Sequence, residues 1–211
     1  MRVLAINGSP KAEGNTRQAI GIVAEQLERE GIVTEILHIG NRAIRGCIAC
    51  GMCAKNRDER CVQADDGVND AIRRMKAADG ILLGSPVYYS GIAGTMKSFL
   101  DRAFYVSGAN GGLFRYKAGA ALVADRRAGA VLALGQLNNY ITYSEMFMPG
   151  SNYWNIMFGA APGEALKDEE GVQTMRILGR NLAWLMKAIE NGRRELPVPE
   201  REAKIRMNYI R

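Results

Sequence analysis

The chain has 211 residues, 47% of them hydrophobic and 24% charged, with a net charge of +6 at pH 7. That length supports one sizeable core, no apolar run is long enough to span a bilayer, and residues 1–6 lack the features of a signal peptide, so a cytoplasmic protein is expected. Part of the positive excess follows residue 192, where Arg193, Arg194, Arg201, Lys204, Arg206 and Arg211 outnumber Glu195, Glu200 and Glu202. Without interleaved aromatics or a nucleic-acid module, this basic tail (192–211) is expected to pack on a neighbour or be solvated, not to bind nucleic acid.

Residues 2–16 read RVLAINGSPKAEGNT, a short apolar strand that stops in a polar, glycine-containing loop and restarts as a helix at Asn15 or Thr16. Along the helix to Glu30, Ala19, Ile20, Val23 and Leu27 recur at helical spacing, and Gly31 ends the pattern. Residues 32–39 alternate and are β-branched, as in a second strand. A helical stretch over 66–78 precedes a third, buried strand at 80–84. Helix over 94–106, a fourth strand at 118–124, helix over 128–143, a short fifth strand at 145–148 and a closing helix over 172–189 complete the pattern. Alternating strand and helix over residues 1–191, without an internal boundary, predict a doubly wound parallel sheet with helices on both faces.

A strand that ends in a polar loop at a helix start is an anion-binding layout. The first N–H groups of a helix lack intrahelical partners and sit at the positive end of its dipole. Ser9, Asn15 and Thr16 add side-chain donors. The spacing fits neither G-x-x-x-x-G-K-[ST] nor G-x-G-x-x-G, which excludes the two familiar nucleotide loops and leaves a monophosphate such as that of FMN. The alternative is a plain turn capped by Asn15. Ligands of doubly wound sheets bind beyond the strand carboxyl ends, where strand order reverses. Residues 85–94, SPVYYSGIAG, follow the third strand there, and Tyr88 and Tyr89 offer flat faces to an isoalloxazine ring. The alternative is that the two tyrosines cover the sheet edge.

All four cysteines fall in one stretch, Cys47, Cys50, Cys53 and Cys61, spaced C-x2-C-x2-C-x7-C. Such thiolates can share one centre, and a single [4Fe–4S] cluster would use all four. Structural zinc usually draws on two separated C-x2-C pairs, and a disulfide is disfavoured in a reducing compartment. Four unliganded thiols in a loop remain the plain alternative.

Taken together, GSPKAEGNT, the cysteine run ending in CVQADD, and SPVYYSGIAGTMKSFLDR resemble the NADPH-dependent FMN reductase family, and within it the iron–sulfur flavoproteins. The resemblance implies a flavodoxin-like five-stranded sheet of order 2-1-3-4-5. It implies that Ser9, Lys11, Asn15 and Thr16 hold the FMN phosphate, and that Pro86, Val87, Tyr88, Tyr89, Ser90 and Gly91 meet the ring. Asp125, Arg126 and Arg127 then form the third flavin-facing loop, and Cys47, Cys50, Cys53 and Cys61 carry the cluster. The implied chemistry is hydride transfer from NAD(P)H to FMN, followed by one- or two-electron transfer to a quinone-like acceptor or a ferredoxin. A flavodoxin-like carrier without turnover is one rival, and a quinone, nitro or azo reductase with structural cysteines is another. A homodimer or homotetramer is expected, with residues 146–158 buried between subunits. Tyr153 and Trp154 are expected at the flavin or in that interface. Lys97 and Asp101 are expected to pair along their helix. His38 is expected to be structural and remote from the switch point.

Overall fold

The computed structural model describes every residue except 64, 206, 208, 210 and 211, so two of the tail arginines, Arg206 and Arg211, lie outside the described residues. In chain order the elements are β1 (Arg2–Asn7), α1 (Asn15–Arg29), β2 (Val33–His38), α2 (Met52–Asn56), α3 (Val68–Ala77) and β3 (Gly80–Tyr88). There follow β4 (Gly91–Ile92), α4 (Gly94–Ala109), β5 (Ala118–Asp125), α5 (Ala130–Tyr143), β6 (Ile156–Phe158) and α6 (Glu169–Glu195). The sheet order is β2-β1-β3-β5-β6, with β4 paired to β3. The five strands of the main path are parallel and only β4 is antiparallel. With β4 set aside, the order is 2-1-3-4-5, the flavodoxin-like arrangement.

Strand alternation divides the core into two layers. Leu4, Ile6, Ile81, Leu83, Ala121 and Val123 face α3, α4 and α5 on one side. Val3, Ala5, Leu82, Ala120 and Leu122 face α1 and α6 on the other. Successive side chains of a strand point to opposite faces, so a sheet covered on both faces needs apolar residues at every position. β5 meets that demand, with all of Ala118–Asp125 buried.

The fifth parallel strand is not at 145–148. That segment makes an isolated bridge between Ala118 and Phe147 at the amino end of β5. The chain then leaves the sheet and returns as β6, which pairs with Val123, Ala124 and Asp125 at the carboxyl end. Three residues, Ile-Met-Phe, are too few to show a period. The third strand likewise runs past Gly84 to Tyr88, where a two-residue turn folds it into β4. Tyr89 and Ser90 in that turn have φ of 49° and 60°. Both thus occupy the left-handed region that two-residue hairpins with primed turns demand and that non-glycine residues disfavour. α6 begins earlier than its apolar face does, because Asp168 caps it by accepting from the Gly171 N–H at 2.9 Å. The Asp168 carboxylate also accepts from the Phe158 N–H at 2.8 Å, fastening β6 to the helix. Among the described residues no helix is long and apolar enough to cross a membrane.

Candidate functional site

The loop between β1 and α1 is held from below. Fully buried Asn7 accepts from the Ser9 N–H at 3.1 Å and donates to the Ala12 carbonyl at 3.3 Å. The Ser9 hydroxyl oxygen accepts from the Lys11 N–H at 3.2 Å. Gly14 is the N-cap of α1, with no side chain bonded to the helix start. The positive end of the dipole therefore faces the cavity uncapped. Asn15 does not cap the helix. Its amide donates to the carbonyls of Gly159 and Ala161 at 2.9 and 3.0 Å and accepts from the Gly163 N–H at 3.1 Å, tying α1 to the segment after β6.

His38 lies beside this loop, which corrects the expectation that it is remote. Its Nε2 stands 2.7 Å from the Ser9 carbonyl oxygen. A carbonyl only accepts, so the ring donates from Nε2. Gly40 presses on the same residue, since a Cβ placed there would stand 2.0 Å from the Ser9 carbonyl oxygen. The end of β2 thus braces the loop between β1 and α1.

One cavity of about 210 Å³ opens at the carboxyl ends of β1, β3, β5 and β6. Ser9, Lys11, Asn15 and Thr16 line one wall, Pro86, Val87 and Tyr88 a second, and Asp125 and Arg126 a third. The sequence reading missed the fourth wall, Gly159, Ala160 and Pro162, because it misplaced the last strand. Asp125 is 6% exposed, and its Oδ2 has no hydrogen-bond partner among the described residues. A buried, unpaired carboxylate oxygen demands a donor. FMN fits these walls: its phosphate suits the uncapped helix start, and its ribityl hydroxyls supply donors for Asp125, whose charge would repel the phosphate itself.

Tyr89, Ser90 and Gly91 are not on that wall. Tyr89 is fully exposed, and Ser90 lines a neighbouring cavity of about 620 Å³ with Arg127, Gly129, Tyr153, Trp154 and Phe158. Phe158 lines the larger cavity and Gly159 the smaller, so the end of β6 stands between them. The Tyr153 and Trp154 rings meet edge to face, 4.5 Å apart. Gly129, at φ 95°, leaves no room for a Cβ, which would lie 2.8 Å from the Ser90 Cα. The Ser85 hydroxyl fixes the hairpin base, accepting from the Ala93 N–H at 3.0 Å and donating to the Pro86 carbonyl at 2.8 Å.

Cys47, Cys50, Cys53 and Cys61 line one small pocket together with Arg102 and Tyr105. Left-handed backbone at Ala49, Gly51, Arg57 and Glu59 coils the loop tightly enough to do this. Cys53 sits on α2, and Asn69 pins Cys61 by accepting from its N–H at 2.8 Å and donating to its carbonyl at 2.9 Å. Burial pushes the Cys53 thiol above its ordinary range, and the charges of Cys61 and Cys50 act in the same direction. Among the described residues no three His, Cys, Asp or Glu side chains converge on a single ion. Four thiols are the donor type that an iron–sulfur cluster takes. Lys97 and Asp101 form the expected pair at 2.6 Å along α4.

The fold and the cavity at its switch point define a flavodoxin-like flavoprotein. The profile of the NADPH-dependent FMN reductase family matches residues 1–161, and the chain belongs to that family as an NAD(P)H-dependent FMN oxidoreductase. It is 35% identical over 201 residues to an iron–sulfur flavoprotein of Methanocaldococcus jannaschii, covering 90% of this chain and 100% of that one. It is 28% identical over 195 residues to an iron–sulfur flavoprotein of Methanosarcina thermophila, covering 92% and 99%. Among solved structures, RosB with a bound 8-demethyl-8-formylriboflavin-5'-phosphate intermediate superposes with a TM-score of 0.71 at 15% identity, over 100% of this chain and 94% of that one.

Proposed function

We propose that the chain takes electrons from NAD(P)H on FMN and passes them through a [4Fe–4S] cluster to a quinone-like or ferredoxin acceptor. The observation that carries the cluster is the meeting of all four cysteines in one pocket. Bound FMN supplies hydride acceptance and one- or two-electron release, and the cluster supplies single-electron transfer. Ser9, Lys11, Thr16 and the start of α1 bind the phosphate, with Asn15 holding the wall behind it. Asp125 accepts from the ribityl chain. Pro86, Val87 and Tyr88 orient the ring, and Arg126 sets its charge environment. The larger cavity, walled by Tyr153, Trp154 and Phe158, suits a planar nicotinamide or acceptor.

The exposed aromatic surface over 147–158 supports burial between subunits of a homodimer or homotetramer. Iron and acid-labile sulfide assayed on anaerobically purified protein, followed by mixing with NADPH, test the reading. Four iron and four sulfide per chain are expected for one cubic cluster, with bleaching of the flavin band. Bleaching without iron would favour a quinone, nitro or azo reductase with structural cysteines. Iron-free protein that NADPH leaves unbleached would favour a flavodoxin-like carrier.

A further inference from the structure

Among the described residues Arg102 is the largest fully buried side chain. It projects from α4, and its Nη1 donates to the Arg45 carbonyl at 3.1 Å and pairs with Asp66. Arg45 precedes Cys47 and Asp66 follows Cys61, so one guanidinium clasps both ends of the cysteine segment. Its Nε and Nη2 are buried and have no hydrogen-bond partner among the described residues. The same side chain forms part of the wall of the cysteine pocket.

Two unused donors on a buried cation carry an unrelieved desolvation cost until an acceptor arrives. An anion held in the cysteine pocket, whose wall Arg102 helps form, would supply such an acceptor. A cluster held by four thiolates carries net negative charge in either redox state and gains one more on reduction. A fixed cation with directed N–H groups favours the more negative state, and hydrogen bonds to cluster sulfurs raise the potential in the same way.

We propose that Arg102 is a positioning and charge-compensating residue of this pocket, whose Nε and Nη2 donate to sulfur on the Cys61 side and raise the reduction potential of the bound cluster. The inference rests on the cluster reading above. It concerns the uptake of one electron from the flavin, with no bond made or broken and no proton moved.

The test uses full-length protein, anaerobically reconstituted with iron and sulfide, as wild type, Arg102→Gln, Arg102→Lys and Asp66→Asn. Iron, sulfide and FMN per chain are measured first, then the cluster midpoint by redox titration followed by electron paramagnetic resonance. At the wild-type midpoint, Arg102→Gln is expected to lower the reduced-to-oxidised ratio at least tenfold, a 59 mV shift for a one-electron couple. Arg102→Lys, which keeps charge but loses the fork, should shift less in the same direction, and Asp66→Asn should shift upward. Loss of the cluster from Arg102→Gln with FMN retained would also support the assignment. An Arg102→Gln protein that keeps cluster and midpoint would overturn it. Should Arg102→Gln fail to retain FMN and so fail to fold, unmoved midpoints in both other variants would overturn it. Wild type that takes up neither iron nor sulfide would instead overturn the cluster reading, and this inference with it.

Discussion

His38 donates from Nε2 to the carbonyl oxygen of Ser9 at 2.7 Å, across the space between the second strand and the anion loop. The bond fixes the loop in the shape that leaves the start of α1 facing the cavity. His38→Ala is expected to cost about 1 kcal/mol of loop order, which is roughly a fivefold rise in the FMN dissociation constant. Fluorescence titration of the apoprotein measures it. Riboflavin, which lacks the phosphate, should show a smaller change.

Asp125 keeps a buried oxygen without a partner among the described residues at the cavity wall. Removing that unmet acceptor relieves the apoprotein and deprives the ligand. Asp125→Leu is therefore expected to stabilise the apo fold by about 1–3 kcal/mol while weakening FMN binding. Urea denaturation of the apoprotein beside flavin titration shows both signs. A variant that loses apo stability and keeps its FMN affinity would remove Asp125 from the site.

The turn at Tyr89 and Ser90 holds two non-glycine residues at φ of 49° and 60°. Replacing the pair with Asn-Gly suits this turn and is expected to add about 1–2 kcal/mol. For a chain of this size that is an increase in melting temperature of roughly 2–8 °C. Scanning calorimetry of the apoprotein checks it. An unchanged or lowered melting temperature would show that the turn stores no strain.

Tyr140 donates to the Asp101 carboxylate at 2.5 Å. Burial foremost, and then that carboxylate, push its phenol up to about 12. A folded-state value raised above the unfolded one of about 10 contributes stability that is complete below pH 10 and lost as pH rises toward 12. Tyr140→Phe is expected to flatten that part of the stability profile. Urea midpoints compared at pH 9.5 and 11 between variant and wild type measure the difference. An equal loss in both would assign the alkaline decline to other groups.

The parallel framework was legible because β1, β2, β3 and β5 carry long apolar or β-branched patterns separated by helices of clear period. The loop between β1 and α1 was legible from composition and from its place between strand and helix. β6 was not, since Ile156–Phe158 becomes a strand only by docking on the exposed end of β5, a tertiary event without a local period. The wall at Gly159, Ala160 and Pro162 was lost with it. His38, Gly40 and Arg102 escaped for a related reason: each acts through a contact with a distant segment. Only an unusual residue type in an apolar stretch, as at Arg102 amid Phe99, Leu100, Ala103 and Phe104, hints at such a role.

In the proposed function, FMN is held by its phosphate in the cavity at the ends of β1, β3, β5 and β6. Apoprotein is incubated separately with FMN and with riboflavin, desalted, and read by visible absorbance against protein concentration. Close to one FMN retained per chain is expected, with riboflavin largely washed away. Retention of neither flavin, or of both equally, would remove the phosphate from its role there.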